Sequence, residues 1–164
     1  MADTLHRLDC QPTLEGHLIL VRPLRADDFD GLYAAGADPL VWEQHPDRER
    51  WREDVFRAYF DDHLASGGAL AVVDRASGSL IGATRYANHD PNANEVEIGW
   101  TFLAQPYWGG AYNAELKKLM LEHAFQSVET VVFLVDANNR RSRRAVEKLG
   151  ATESGEHRGM VLYA

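Results

Sequence analysis

Cysteine occurs once in this 164-residue chain, at Cys10, so no internal disulfide can form. The seven histidines are scattered and no Cys/His spacing suits zinc, so no metal site is expected. Long apolar runs are missing too: none approaches the ~18 to 20 residues needed to span a bilayer, and residues 1–10 carry charges where a secretion signal would be apolar. A cytoplasmic protein without a membrane partner is expected. No broad basic stripe with interleaved aromatics appears, which argues against nucleic acid as a partner. Internal repeats, low-complexity tracts and linkers are absent as well. What remains is a chain of 45% hydrophobic residues, enough for one domain with a real core.

The net charge of -8 is unevenly spread. Residues 1–100 hold 9 Lys+Arg against 18 Asp+Glu, whereas residues 101–164 hold 8 against 7. An acidic first half suits a cationic acceptor, and a near-neutral second half tolerates an anionic ligand; ordinary solvated surface would give the same numbers.

Periodicity and punctuation give the order of elements. Residues 17–24 read as a strand that feeds a helix over about 28–35, ended by Gly36 and Pro39. Pro46 and Asp47 open a second helix, with Trp51, Val55, Ala58, Tyr59 and Asp62 along one side and an end near Gly67 and Gly68. Residues 69–73, 80–88 and 95–103 read as three strands joined by hairpin turns at 75–78 and 89–92. The pattern then changes to strand, helix, strand, helix. Leu116, Leu119, Met120 and Ala124 share one helical face, residues 131–135 form a strand, and Ser142, Ala145, Val146 and Leu149 line a last helix that stops at Gly150. Two parallel-type crossovers and a mixed α/β sheet are expected.

The segment 95–150 is the most informative. Its strand 95–103 leads through Trp108, Gly109, Gly110, Ala111, Tyr112 and Asn113 into a long amphipathic helix. A glycine-bearing turn at a helix start aims several N–H groups and a positive dipole end at one point, which suits a polyphosphate.

The runs Glu97-Ile-Gly-Trp, Tyr107-Trp-Gly-Gly-Ala-Tyr-Asn-Ala-Glu115, Asn139-Arg-Arg-Ser142 and Glu147-Lys-Leu-Gly150 resemble the GCN5-related N-acetyltransferases. Within that superfamily the resemblance is strongest to the group of ribosomal-protein N-terminal acetyltransferases. It covers residues 14–150, leaving 1–13 as an N-terminal extension to a domain over 14–164. It implies a mixed, mostly antiparallel sheet flanked by helices and splayed between its fourth and fifth strands. Acetyl-coenzyme A would lie in the splay as co-substrate, and an acetyl group would pass to a small-molecule or peptide amine.

By the same resemblance, backbone near Trp100, Thr101 and Phe102 would meet the pantetheine and the acetyl carbonyl. The N–H groups of the loop from Trp108 to Asn113 would hold the pyrophosphate. The loop departs from the usual Arg/Gln-x-x-Gly-x-Gly/Ala pattern: Ala111 stands where glycine is usual, which would restrict a positive φ. Glu97 is the first candidate for the base that takes the acceptor's proton, with Glu95 second, since alternation puts both on one face. Ordinary strand carboxylates would look the same. Val146 stands where many members have a tyrosine acid, so Ser142 is the candidate to serve the departing sulfur. Asn139 would approach the pantetheine, or simply cap the last helix. Among the basic residues of 140–148, Arg141 and Arg144 are candidates for the 3′-phosphate.

Only 14 residues follow Gly150, room for a short hairpin at most. The acceptor side is then open, closed by a reduced strand, or completed by a second subunit in a homodimer. Transfer of another acyl group, an antibiotic-like or metabolite amine as acceptor, and a non-catalytic acyl-coenzyme A-binding module are the alternative readings.

Overall fold

The computed structural model describes residues 8–44, 48–108, 110–136, 139–148, 152–157 and 160–163. Leu14–Glu15 (β1) and Ile19–Pro23 (β2) lead into helix Phe29–Gly36 (α1), then helix Glu53–Ala65 (α2). Strands Ala69–Asp74 (β3), Leu80–Asp90 (β4) and Glu95–Leu103 (β5) follow as an antiparallel meander. Helix Ala111–Ala124 (α3), strand Thr130–Asp136 (β6), helix Arg140–Glu147 (α4) and the strands Glu153–His157 (β7) and Met160–Tyr163 (β8) complete the order. The sheet has eight strands, arranged β1-β2-β3-β4-β5-β6-β8-β7.

Local chemistry fixes the meander. Gly78 takes φ +74° in the β3–β4 turn, where its N–H donates to the Asp74 carbonyl at 2.8 Å. In the β4–β5 turn the Asp90 carboxylate accepts from the amides of Asn92 and Ala93, and Asn94 adopts φ +57°, a conformation asparagine tolerates.

Alternation along the strands then divides the interior into two layers. Leu70, Val72, Val96 and Ile98 face α3, packing on Leu116, Met120 and Ala124. Ala69, Ala71 and Ala83 face the other way, and their small side chains admit an aromatic layer of Phe29, Trp42, Phe56, Tyr59, Phe60 and Phe102.

Several expectations need correction. Helix α2 begins at Glu53, later than Pro46, and it buries Phe56, Tyr59, Phe60 and His63; Trp51 is 37% exposed and Ala58 and Asp62 lie on the solvent side. The β5–β6 pair is the single parallel pairing among the described strands, because α4 leads to a hairpin whose β8 runs antiparallel to β6. The short hairpin expected after residue 150 is present, with β8 paired to β6 and β7 at the edge of the sheet. The expected splay lies between the fifth and sixth strands, because the two-residue β1 adds one to the count. The expected stop at Gly150 lies outside the described residues.

Candidate functional site

Strands β5 and β6 are paired only at their first residues: Glu95 with Thr130, Val96 with Val131 and Glu97 with Val132. Beyond that point they part, and residues 133–136 bond outward to β8. The gap is the mouth of a cavity of about 770 Å³. Its wall on one side is the stretch 98–103 of β5, and on the other Phe133, Leu134 and Val135. A parallel sheet exposes backbone polar groups in this way only where something else will bond them.

A bulge in β5 shapes the inner wall. Trp100 sits at φ +53°, unusual for a bulky residue, and the β4–β5 register shifts between Ala83↔Phe102 and Arg85↔Gly99. The extra residue reverses the alternation. Before it, Glu97 and Gly99 lie on the α2 side; after it, Phe102 joins the aromatic layer and Thr101 turns toward α3. There the Thr101 hydroxyl lies 2.8 Å from that of fully buried Thr84 and accepts from Lys117 Nζ at 2.7 Å. Lys117 is 5% exposed, and burial pushes its ammonium down to about 7.

The loop before α3 is braced from two sides. The Trp108 indole N–H donates to the Leu103 carbonyl at 2.8 Å, tying the loop to the end of β5. Tyr112 turns away from the cavity, against the Tyr107 ring, with its hydroxyl 3.4 Å from an Asp74 oxygen. The first intrahelical bond runs from Ala114 N–H to Gly110 O, and no side chain caps the helix. The amides of Ala111, Tyr112 and Asn113 are therefore available at a helix N-terminus beside the cavity. The strained conformation falls on Gly110, at φ +112°, and Ala111 is the first helical residue. An alanine at 111 thus meets none of the backbone restriction expected of it. Glu115, one turn on, is structural: its carboxylate accepts from the amides of His17, Leu18 and Ile19 at 2.8 to 2.9 Å.

Helix α4 forms the outer wall. Asn139 is its N-cap, its side-chain oxygen accepting from Ser142 N–H at 3.2 Å. Ser142, Arg140, Arg144, Val146 and Lys148 line the cavity; Val146 is buried in the core beneath it. No carboxylate lines the cavity among the described residues, whereas Lys117, Arg140, Arg144 and Lys148 do.

The structure thus gathers Trp100, Thr101, Phe102, Trp108, Gly110, Asn113, Asn139, Ser142 and Arg144 around one space. Ala111 and Tyr112 do not line it, Gly109 lies outside the described residues, and nothing is described of the Arg141 side chain. Glu97 lies just behind the wall, 7% exposed, accepting from Asn88 Nδ2 at 2.7 Å with its other oxygen against Gly99. Glu95 is half-buried at the paired end of β5, away from the opening.

On the α2 side an aromatic and basic layer abuts the bulge. The Arg85 guanidinium lies 3.8 Å from the Trp100 ring centroid, Arg50 lies 4.4 Å from that of Tyr59, and the Tyr59 ring stacks on His63. Burial and the two arginines push His63 down to about 3, and burial pushes the Tyr59 hydroxyl up.

Residues 18–152 match the acetyltransferase (GNAT) domain family. Among curated proteins none matches the chain in sequence. Among solved structures, the chain is similar to an acetyltransferase from Agrobacterium tumefaciens str. C58, with 26% identity over 93% of this chain and 92% of that one, and a TM-score of 0.73. A GCN5-related N-acetyltransferase from Brucella melitensis gives 22% identity, 93% and 77% coverage, and a TM-score of 0.80. The spermidine N-acetyltransferase from Vibrio cholerae, in complex with coenzyme A and spermine, gives 15%, 89% and 92%, and 0.67.

Proposed function

This chain belongs to the acetyltransferase (GNAT) family, and from that premise we propose that it moves the acetyl group of acetyl-coenzyme A to a primary amine, a protein N-terminus or a small amine. The observation that carries the reading is the sign of the cavity: the basic side chains of Arg140, Arg144 and Lys148 and uncapped helix amides converge on a space that no described carboxylate enters. A polyanion neutralises that excess, and a neutral or cationic co-substrate would not.

The amides of residues 111–113 and the guanidinium of Arg144 would bind the phosphates. Backbone of Trp100, Thr101 and Phe102, left without β6 partners by the splay, would hold the pantetheine arm and aim N–H groups at the carbonyl oxygen that becomes negative during attack. Trp108 fixes the loop through Leu103, and Asn139 fixes the start of α4 so that Ser142 faces the space. Glu97 would take the acceptor's proton through a water, since its carboxylate stands behind the wall and not on it. Attack is direct in a ternary complex. Membership in the ribosomal-protein-modifying group is supported by the sequence of the loop at Trp108-Gly109 and by the Asn139-to-Ser142 spacing.

Coenzyme A thiol release from acetyl-coenzyme A, measured across a panel of amines and N-terminal peptides, tests the reading. One amine class should stimulate release, and Glu97→Gln should lower turnover with loss of its acidic limb. Binding without release by any amine would leave only an acyl-coenzyme A-binding module.

A further inference from the structure

Lys117 is the one cation among the described residues of the cavity wall that the reading above leaves without a task. It reaches from α3, two turns past the loop, to the β5 bulge, and it is 5% exposed. An ammonium has three donors, and here one of them is met, by Thr101 Oγ1 at 2.7 Å. No described carboxylate lies within ion-pairing distance. The groups facing it explain why. From β5 comes Thr101, with Glu97 on the opposite face; from β4 comes Thr84, with Arg85 on the opposite face against Trp100. Of the charged side chains that line the cavity with it, those of α4 and its C-cap are all cations, Arg140, Arg144 and Lys148, and β6 contributes only apolar side chains. On α3 itself, Glu115 is committed to the amides of residues 17–19, and Lys118 is exposed.

A second observation meets the first. The reaction must put a proton on a departing thiolate, and the position where a tyrosine acid would stand is Val146, buried and without a hydroxyl. Ser142 can hydrogen-bond a sulfur, but its hydroxyl is too weak an acid to give up a proton to a thiolate. Lys117 opens onto the same cavity as Val146 and Ser142.

We propose that Lys117 is the catalytic acid of the transfer, its ammonium meeting the coenzyme A sulfur as the thioester breaks; this rests on the acetyltransferase reading above. The acceptor nitrogen bonds to the acetyl carbon, the carbon–sulfur bond breaks with its electron pair on sulfur, and Lys117 Nζ gives that sulfur a proton. Lys117 is left as a neutral amine, the form its burial favours, with Thr101 still its partner. The proton lost by the acceptor restores the ammonium before the next turnover. Thr101 is a positioning residue in this step, because its hydroxyl sets where Nζ lies.

The test has a readout apart from turnover. Coenzyme A is titrated on the protein, and ionisation of its thiol is followed by the ultraviolet absorbance of the thiolate. In wild type the bound thiol should ionise about one pH unit lower than in Lys117→Met, because thiolate and ammonium hold each other charged and titrate as a pair, the thiolate raising the ammonium that burial alone lowers. Turnover by Lys117→Met should fall about 100-fold with coenzyme A affinity within threefold, and the alkaline limb of the wild-type rate profile should vanish. Lys117→Arg should restore the lowered thiol ionisation without restoring turnover, since guanidinium does not release its proton. Equal thiol ionisation and equal turnover in wild type and Lys117→Met would overturn the assignment while leaving the transferase intact. A wild-type protein that binds no coenzyme A would overturn both.

Discussion

Two buried charges in this fold sit in opposite surroundings. At the β2–α1 corner, Asp28 is 6% exposed and accepts two bonds from the Arg22 guanidinium and one from the Arg25 amide, each 2.8 Å. Burial alone would raise its carboxyl, and Arg22 with the Arg25 amide more than reverses this, leaving it below the usual range. On the floor of the splay, Lys117 is as deeply buried and has one hydroxyl. The first network is complete and holds a corner in shape. The second is incomplete, so what enters the cavity decides its charge.

That contrast is broken most severely at the corner. Asp28→Asn strands the Arg22 guanidinium and should cost about 3 kcal/mol in urea unfolding, with acetyl-coenzyme A affinity unchanged. The same carboxylate's stability contribution is present above its unfolded pKa and disappears as pH falls through its lower folded value.

At the cavity the sign reverses. The unfolded chain keeps the Lys117 proton up to its ordinary value of 10.5, while the folded chain releases it from about 7. Wild-type stability should therefore gain from this group as pH rises between those values, and Lys117→Met should lose that gain. At pH 6 the shift weighs about 5 kcal/mol against the charged form, and loss of the bond to Thr101 returns about 2, so the variant should be more stable than wild type by about 2 to 3 kcal/mol, read from the same unfolding curves. A substitution that strengthens the fold while disabling turnover is the mark of a charge kept for chemistry.

His63 sharpens the comparison from the α2 side. Its ring is held neutral down to about 3, so between 6.5 and 3 the unfolded chain takes up a proton that the folded chain refuses. Stability should fall as pH drops below 6.5, by about 2 kcal/mol at pH 5, and His63→Leu should flatten that acid limb. The smallest effect belongs to the loop: Ala111→Gly should change acetyl-coenzyme A affinity less than twofold in calorimetry, because the positive φ is carried by Gly110.

The strands were legible in the sequence because their turns announce themselves, through Gly78, Asp90 and Asn94. The face of α2 was not. Its residues support two stripes at helical spacing, and the buried one passes through a histidine that hydrophobicity does not mark. The bulge was equally hidden, since alternation read straight through Trp100 puts Thr101 on the wrong side of the sheet. Lys117 was missed beside Lys118, although one signal separates them. Lys118 has Glu115 three residues before it and Glu122 four after, whereas Lys117 has Asn113, Ala114, Met120 and Leu121 at those spacings. A lysine with no helical neighbour to pair with is one to place against the protein and not in water. Ser142, Asn139 and the loop were legible as a group only through the family resemblance, since nothing in their spacing along the chain joins them; which of them touch the space depends on a splay that only the third dimension reveals.

The proposed seat for acetyl-coenzyme A is the unpaired half of β5 and β6, walled by cations and helix amides. Calorimetric titration of the purified protein with acetyl-coenzyme A at two salt concentrations tests it most directly. Saturable one-site binding that weakens as salt rises is expected, since phosphate contacts carry it. No heat of binding at either salt concentration would contradict it.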